Sequence, residues 1–458
     1  MNAQHVRRRQ KPDQRTGRSI PGLPARSHAA DLVFGVLNNG KALDGAFESQ
    51  KAGGLHAGAD RALTHALVLT TLRRLPTLDA AINACLDRPL HTSAAKAMAI
   101  LRVMTAQLLV MEMADHAAVT LAVEDAARRK DTGKLKGLIN AVGRRMVREK
   151  QALMDATPVS DLPAWLENRW RRTYGQKRTA KIAQAMQQQP AIDLSFKPGV
   201  DHQLWLERLS DRDPVSLNER SIRLVKPGGI DRLPGYEEGD WWVQDIAATL
   251  PAHSLIDALP NPSQTCVLDL CAAPGGKTAQ LASAGCTVTA IDQSAPRMKR
   301  LAANMKRLGL TVEVQIADAL TYSPKKRFDA VLLDAPCSAT GTLRRNPDIG
   351  YLRRERDIQS LAKLQASLLE KAAHFVKPNG VLVFATCSLE PEEGEAQITR
   401  FLREHQDWSL DPIEADLGPK GVIQDDGTVR TLPHLSADQN GVCPGMDGFF
   451  VARLRAPN

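Results

Sequence analysis

Long apolar runs, aromatic residues and paired cysteines are all scarce in this chain. No uninterrupted apolar run approaches the about 20 residues that span a bilayer, so we predict a soluble protein with no membrane partner. The seven cysteines are an odd number and no two are spaced as CxxC, which argues against a disulfide scaffold and a cysteine-based zinc site. The sequence therefore predicts a cytoplasmic protein without a metal centre.

Acidic residues are nearly absent from the amino terminus, where several arginines face a single acid, Asp13. We predict that residues 1–27 form a disordered basic tail, because so polar a segment cannot bury enough apolar surface to fold. An RNA-seeking arm, a solvated tail and a transit peptide all fit this composition. The formal net charge of +9 favours a polyanionic partner for the whole chain.

Strand signals are missing from residues 28–152, where apolar residues recur on one helical face and predict core packing. Residues with this spacing are Ile100, Leu101, Met104, Leu108 and Met111. The later part is basic, and its charged side chains either follow RNA phosphates or only solvate a helix surface. They are Arg128, Arg129, Lys130, Lys134, Lys136, Arg144, Arg145 and Arg148.

The string HAAVTLAVEDAARRKDTGKLKGLINAVGRRMVRE, most clearly its KGLINAV portion, resembles the closing helices of the NusB family of RNA-binding transcription factors. The resemblance implies that residues 28–152 form an all-α RNA-binding domain. It also names RNA as the partner, which charge alone leaves unspecified.

Prolines and turn motifs replace the helical pattern after about residue 155. Short apolar pieces divided by KPGG and LPGYEEG predict a small mixed domain over residues 160–240. The string PAWLENRWRRTYG at its start either stacks RNA bases or forms a helix with one buried and one basic face. The side chains concerned are Trp165, Trp170 and Tyr174, beside Arg169, Arg171 and Arg172.

Apolar strands alternate with helical stretches from residue 241 to 458, which predicts a parallel doubly wound α/β domain and a multidomain chain. Ligands of such sheets bind outside the carboxyl ends of the strands. The loop DLCAAPGGKT follows one predicted strand, and Asp292 ends the next. Small residues let the backbone approach a ligand and the carboxylate suits ribose hydroxyls, so we predict a nucleoside-containing cofactor.

Two common phosphate-binding patterns are missing from this loop. A Walker A loop needs glycine where Cys271 stands, and the dinucleotide fingerprint GxGxxG is absent. S-adenosylmethionine therefore remains as the cofactor, with Asp318 placed to meet its adenine; Lys277 either contacts the methionine carboxylate or supports the loop. The predicted cofactor-binding residues are Cys271, Ala272, Ala273, Pro274, Gly275, Gly276, Lys277, Asp292, Arg297, Asp318 and Asp334.

Two cysteines, Cys337 in LLDAPCSATG and Cys387 in VLVFATCSLEPEE, each lie just past an apolar run. Matching positions after two strands predict catalytic thiols rather than the small buried hydrophobe that a cysteine ordinarily is. That ordinary role is predicted for Cys85, Cys266, Cys286 and Cys443.

Cytosine methylation at C5 would employ both thiols. C5 is a poor nucleophile until a thiolate adds to C6, and an adjacent acid, Asp334, can assist by protonating or hydrogen-bonding N3. Chemistry alone lets either cysteine attack. An adenine amino methyltransferase, the nearest rival, carries an aromatic residue after its strand-end prolines, and DAPCS has none.

Residues 241–458, with DAPCSATG and ATCS, resemble the class I (Rossmann-like) methyltransferase fold and, within it, the family that makes 5-methylcytosine in RNA. The resemblance implies that Cys387 is the nucleophile and Cys337 serves product release. GTLRRNPDIGYLRR is either a substrate loop, with Arg344 and Arg345 on phosphates, or a solvated loop. Gln244 and Asp245 shape the cofactor pocket, or Asp245 caps a helix.

The two ends together resemble the RsmB/Sun family of bacterial methyltransferases, which implies a cytosine of small-subunit (16S) ribosomal RNA as the substrate. Transfer RNA and large-subunit ribosomal RNA stay open, because residues 190–240 offer no family landmarks. An RNA-binding ribosome assembly factor that keeps a methyltransferase fold is the alternative of a different class. The intact loop, Asp292 and the paired cysteines weigh against a decayed site.

Overall fold

The computed structural model describes residues 20–52, 58–156, 160–226, 228–414, 418–438 and 443–458. The chain divides into two compact units. The first comprises Met1–Phe34, Asp44–Val68 and Ala81–Asp155, and the second Gly35–Leu43, Leu69–Ala80 and Ala156–Asn458. None of the helices in the described ranges combines the length and apolar content that crossing a membrane requires.

Helices form the amino-terminal part of the chain. They are α1 (Leu23–Asn39), α2 (Leu43–Ala52), α3 (Gly58–Arg73), α4 (Leu75–Ala84), α5 (Ala95–Leu109), α6 (Asp115–Arg128) and α7 (Lys136–Asp155). Within the first unit α5, α6 and α7 pack on one another, and a Cβ on Gly143 would lie 3.0 Å from Met104 and Val119. Glycine therefore lets α7 approach so closely. Ile100, Leu101, Met104 and Leu108 are buried, as their spacing predicts.

The predicted basic tail falls mostly on residues outside the described ranges. Its end needs correction, because α1 begins at Leu23 and residues 23–27 are helical. Arg26 is buried there, and its guanidinium donates to Gln107 Oε1 at 2.6 Å. The sequence composition places Arg26 in the basic tail, because its partner Gln107 is distant in sequence and cannot be recognised from local composition.

Only part of the predicted basic face of the first unit is free of acidic partners. Arg129 pairs with Asp125 at 2.9 Å and with Asp31, so it stabilises the fold. Arg145 likewise pairs with Glu149 at 3.0 Å. Arg128 pairs with Glu124 at 2.7 Å and Arg148 with Glu149 at 3.7 Å, although both are exposed. The other exposed side chains of this stretch are Lys130, Lys134, Lys136 and Arg144.

A long helix and an antiparallel sheet follow in the second unit. The elements are α8 (Ala164–Gln187), β1 (Ile192–Phe196), α9 (His202–Arg208), β2 (Pro214–Asn218), β3 (Ser221–Leu224) and β4 (Trp241–Val243). The strand order is β2-β3-β1-β4, and the core between sheet and α9 includes Phe196, Trp205 and Trp241. Strand β4 belongs to this small sheet because it pairs with β1. The predicted domain boundary at residue 240 is therefore a few residues too early.

The remaining elements form the carboxy-terminal α/β domain. They are α10 (Ile246–Asp257), β5 (Cys266–Leu270), α11 (Gly276–Ser283), β6 (Thr287–Asp292), α12 (Ala295–Arg307), β7 (Glu313–Ile316), β8 (Phe328–Asp334), α13 (Ile349–Leu352), α14 (Glu355–Ala373), β9 (Val376–Thr386), α15 (Glu395–Glu404), β10 (Ser409–Leu410), β11 (Val429–Arg430) and β12 (Phe450–Arg455).

The strand order of the large sheet is β10-β12-β9-β8-β5-β6-β7, with β11 also paired to β12. Strands β5 to β9 pair in parallel, which confirms the doubly wound prediction for this part. Strand β12 runs antiparallel to β9, so the expectation of a wholly parallel sheet is wrong at that edge. Two parallel neighbouring strands normally need a helical crossover between them. In the described residues no helix lies between β10 and β12, so β12 runs antiparallel.

A buried ion pair joins the small sheet to the carboxy-terminal α/β domain. Arg223 donates to both carboxylate oxygens of Asp193, at 2.6 and 2.9 Å, and to the carbonyl oxygen of Gly445 at 2.7 Å. Asp193 also accepts from the backbone N–H of Ile246, the first residue of α10. Removing either charge would leave its partner buried and unpaired, so the pair fixes how the two sheets meet.

Candidate active site

The predicted site residues follow the carboxyl ends of neighbouring parallel strands. The cofactor loop (residues 271–277) follows β5, Asp292 ends β6, Asp334 ends β8 and Cys387 follows β9. Because β6, β5, β8 and β9 are adjacent in this order, the cofactor loop and the two thiol segments share one edge.

The cofactor loop turns sharply through two residues in the left-handed region. Cys271 has φ +59° and Gly275 has φ +105°. A Cβ on Gly275 would lie 2.9 Å from Leu301 Cγ, which makes glycine the residue that this close packing accepts. The backbone N–H of Ala272 donates to the Ile291 carbonyl at 3.0 Å, so main-chain bonds hold the loop against β6.

Asp292 and Arg297 lie beside this loop. Arg297 pairs with Asp292 at 3.4 Å and donates to the Ala273 carbonyl, which ties α12 to the loop. The backbone N–H of Ser294 occupies the other oxygen of Asp292 at 2.8 Å. Asp318 is exposed two residues past β7, and its Oδ1 accepts from the backbone N–H of Leu320.

Gln244 and Asp245 have separate places. Gln244 donates to Gln280 at 2.7 Å, and a Cβ on Gly276 would lie 3.2 Å from its side chain, so Gln244 supports the cofactor loop. Asp245 caps α10 by accepting from the Ala247 N–H at 3.0 Å. The helix-capping interpretation of Asp245 is therefore confirmed, and a part for Gln244 in the cofactor pocket stays a prediction.

Asp269, inside β5, is a candidate that sequence reasoning missed. It is completely buried, Oδ2 accepts from Thr278 at 2.6 Å, and Oδ1 has no partner among the described residues. Burial raises the pKa of Asp269 to about 7. The signal was a carboxylate within an apolar strand, a position where acids are rare unless paired.

Lys277 does not stand free at the loop end. Its Nζ donates to Asp334 Oδ2 at 2.7 Å and lies 5.1 Å from the ring centroid of Phe449. Asp334 is only 29% exposed, so this ion pair connects the cofactor loop to the strand that leads to Cys337.

The two predicted thiols meet. Cys337 Sγ and Cys387 Sγ are 3.4 Å apart, and the Gly341 N–H donates to the Cys387 carbonyl at 3.0 Å. Cys337 is buried, and the pKa of its thiol is raised by the hydrogen bond with Cys387, by burial and by the nearby carboxylate of Glu393. Cys387 is partly exposed. One thiol is therefore held protonated while the other is accessible.

The arginines after Cys337 are held by acidic partners. Arg344 is 4% exposed and donates to Asp245 at 3.1 Å, so a phosphate-binding role is wrong for it. Arg345 is partly exposed and donates through Nε to Asp447 at 2.8 Å. Close packing alone would lower the pKa of Arg345, but Asp447 outweighs it and raises that pKa, with Cys387 contributing in the same direction.

The aromatic string of α8 packs onto the carboxy-terminal α/β domain. Trp170 is fully buried and donates to Glu390 at 2.9 Å, while Trp165 donates to the Gly350 carbonyl at 3.0 Å. Tyr174 donates to the Leu389 carbonyl. These contacts favour the core-packing interpretation over base stacking, because the Trp170 ring is buried and the polar atom of each ring is hydrogen-bonded.

The remaining cysteines lie apart from the thiol pair. Cys85, Cys286 and Cys443 are buried, as predicted. Cys266 is exposed, so the buried-hydrophobe prediction is wrong for it. It is the first residue of β5, at the end of the strand opposite to the cofactor loop, and burial begins only with the next residue. No group of three His, Cys, Asp or Glu side chains in the described ranges lies close enough to hold a metal ion.

This sheet, its loop and its strand-end acids define a class I methyltransferase domain, which follows a NusB-like helical domain in the chain. A family model described as 16S rRNA methyltransferase RsmB/F matches residues 257–455, and a NusB family model matches residues 23–148. The chain belongs to the family of ribosomal RNA small subunit methyltransferase B. The protein of that name from Yersinia pestis is 36% identical over 94% of this chain and 98% of its own.

Solved structures show the same architecture. The crystal structure of PH0851 has a TM-score of 0.71 at 25% identity and covers 95% of this chain and 99% of its own. A methyltransferase homolog protein from Pyrococcus horikoshii has a TM-score of 0.50 at 27% identity and covers 63% of this chain and 93% of its own. The first likeness extends over nearly the whole chain.

Proposed function

We propose that this protein transfers a methyl group from S-adenosylmethionine to C5 of a cytosine in small-subunit ribosomal RNA, through a covalent adduct with Cys387. The observation that carries the proposal is the 3.4 Å separation of the Cys337 and Cys387 sulfurs at the ends of adjacent strands. Asp334, which ends one of these strands, is bonded to Lys277 of the cofactor loop.

The residues at the loop fit S-adenosylmethionine, which when bound supplies an electrophilic methyl group. Asp269 Oδ1 is a buried acceptor without a partner in the described residues, and such an acceptor suits the cationic ammonium of the methionine moiety. Gly275 and Gly276 bring the backbone close, Asp292 is assigned to the ribose, and Asp318 to the adenine.

Each of the other groups has a part in the reaction. The Cys387 thiolate forms a bond to C6 while N3 takes a proton from the Asp334–Lys277 pair. The electron pair that collects at C5 forms a bond to the methyl group, and the bond between that methyl group and the cofactor sulfur breaks. A base removes the C5 proton, the C5–C6 double bond re-forms, the Cys387 sulfur leaves and N3 returns its proton to the Asp334–Lys277 pair. We assign Cys337 to this release, since it adjoins the attacking sulfur and Cys387 is the more accessible of the two.

The substrate rests on separate support. Relatives with matching length carry the name ribosomal RNA small subunit methyltransferase B. The net charge of +9 and the exposed basic residues of α6 and α7 suit a polyanion. We therefore place small-subunit ribosomal RNA before transfer RNA and large-subunit RNA.

Trapping the adduct tests the chemistry. Wild type, Cys337→Ala and Cys387→Ala are incubated with unmodified small-subunit ribosomal RNA and S-adenosylmethionine, and RNA-linked protein is resolved on a denaturing gel. Cys387→Ala should lose methyl transfer, whereas Cys337→Ala should form a denaturation-resistant band. A band in Cys387→Ala alone would exchange the two roles. No band with folded, cofactor-binding proteins would contradict the covalent route.

A further inference from the structure

We propose that Glu393 is a positioning residue for both thiols: its carboxylate fixes Cys337 and Cys387 relative to each other and disfavours a negative charge on Cys337, so that Cys387 is the thiol that attacks. This inference rests on the function proposed above. It assigns a role to a residue outside the cofactor loop and outside the two thiol motifs.

The serines that follow the two cysteines bind the same carboxylate. Glu393 Oε2 accepts from Ser338 Oγ and from Ser388 Oγ, each at 2.5 Å. Oε1 accepts from the Ser338 N–H at 2.9 Å and from Gln365 Nε2 at 3.1 Å. Glu393 is completely buried, as are both serines. One side chain thus cross-links the segments after β8 and β9.

The backbone of Glu393 adds a further link. Its carbonyl oxygen accepts from Thr386 Oγ1 at 2.9 Å. Cys387 therefore lies between two residues, Thr386 and Ser388, that are both bonded to Glu393. The short turn Pro391–Glu393 before α15 brings the chain back to the strand ends, which makes these contacts possible.

The hydrogen-bond pattern suits an ionised carboxylate at Glu393. All four partners donate to the carboxyl oxygens, and an ionised carboxylate only accepts. Burial raises the pKa of Glu393, and the hydrogen bonds from Ser338, Ser388 and Gln365 oppose that rise. A saturated, buried anion at this place is expensive to rearrange, so it holds the geometry rigid.

The charges around the two sulfurs are unequal. The Glu393 carboxylate disfavours a second negative charge on Cys337. The Arg345 cation interacts favourably with a negative charge on Cys387. With the sulfurs in hydrogen-bond contact, these opposite fields make Cys337 the less favourable of the two sites for a negative charge.

Alkylation of the free enzyme tests the charge effect without RNA or methyl transfer. The pH dependence of iodoacetamide reaction at Cys337 is measured by peptide-resolved mass spectrometry in wild type and Glu393→Gln, which keeps the shape and removes the charge. We expect the midpoint for Cys337 to fall by about one pH unit or more in Glu393→Gln.

Glu390→Gln is the matched control. Glu390 is also completely buried in the same segment, but its carboxylate binds Arg169, Trp170 and Thr340. The Cys337 midpoint should not move in this variant. An unchanged midpoint in folded Glu393→Gln, or an equal shift in both variants, overturns the inference.

Ser388→Ala tests positioning separately, because it removes one link and keeps the charge. Turnover should fall by about tenfold or more with cofactor affinity and the Cys337 midpoint unchanged, and unchanged turnover overturns the positioning role. This variant decides the question if Glu393→Gln does not fold. Failure of the cytosine chemistry would abolish methylation in wild type without altering the alkylation profiles, so the two failures are distinguishable.

Discussion

Two buried carboxylates lie on the two sides of the reaction edge and are satisfied to very different degrees. Glu393, on the thiol side, receives four hydrogen bonds from three residues, of which Ser338 and Gln365 are distant in sequence. Asp269, on the cofactor side, receives one from Thr278 and keeps Oδ1 without a partner in the described part of the chain. The saturated group organises the protein, whereas the half-satisfied group suits a ligand.

The same contrast extends to the surroundings of each group. The cofactor side is held by main-chain turns, such as that at Gly275, and by bonds to the adjacent strand. The thiol side is held by side chains from far along the sequence, among them Arg169 of α8, which binds Glu390, Glu392 and Glu355. Mutations on the two sides should therefore fail in different ways, one through affinity and the other through stability.

The largest effect is expected from Arg169→Ala on the thiol side. Its loss leaves the Glu390 carboxylate buried without a countercharge, so the free energy of unfolding should fall by about 3 kcal/mol, measured by urea denaturation. Arg171→Ala on the same helix is the control, because Arg171 is exposed and its one ion pair within the described ranges is with Glu167, and about 0.5 kcal/mol is expected. Equal losses in the two variants would contradict the contrast.

A smaller effect is expected from Gly275→Ala on the cofactor side. A side chain at φ +105° strains the backbone by about 1–2 kcal/mol, and contact with Leu301 displaces the loop, so S-adenosylmethionine should bind about tenfold more weakly in calorimetry. The Cys337 alkylation midpoint should stay at the wild-type value.

Gly309→Ala is the matched control for this prediction. Gly309 also has positive φ, at +64°, but no atom lies within 4 Å of its added Cβ, and it follows α12 away from the loop. It should lower stability without changing cofactor affinity. Loss of affinity in Gly309→Ala would show that strain anywhere in the domain weakens the site.

The sequence predicts the cofactor side better than the thiol side, and the contrast explains why. Cys271, Gly275 and Asp292 belong to strand-loop patterns that are local, and the pairing of β8 with β9 follows from sheet order. The partners of Glu393, Arg344 and Trp170 are brought to them by tertiary packing. Such contacts produce no motif or regular residue spacing that could be recognised in the sequence. The sequence therefore predicts Arg344 as a phosphate ligand, whereas in the fold its charge is neutralised by Asp245.

Asp269→Asn should give the smallest effect, visible as a change of pH dependence. The pKa of Asp269 is raised to about 7 in the folded protein, so the folded state holds its proton more tightly than the unfolded state. Wild-type stability should therefore fall as pH rises through 7, by about 1 kcal/mol between pH 6 and pH 8 in the absence of cofactor. Asp269→Asn should lack this decrease, as measured by urea denaturation across that range.

Asp329→Asn is the control of opposite sign for this last prediction. Lys377 and the Cys266 N–H outweigh partial burial and lower the pKa of Asp329, so its stabilising effect is lost only in acid, below its unfolded pKa. Its curve should run parallel to wild type from pH 6 to pH 8. If Asp269→Asn also ran parallel, Asp269 would be ionised and satisfied in the free enzyme. The cofactor side would then be as saturated as the thiol side, and the difference between the two carboxylates would disappear.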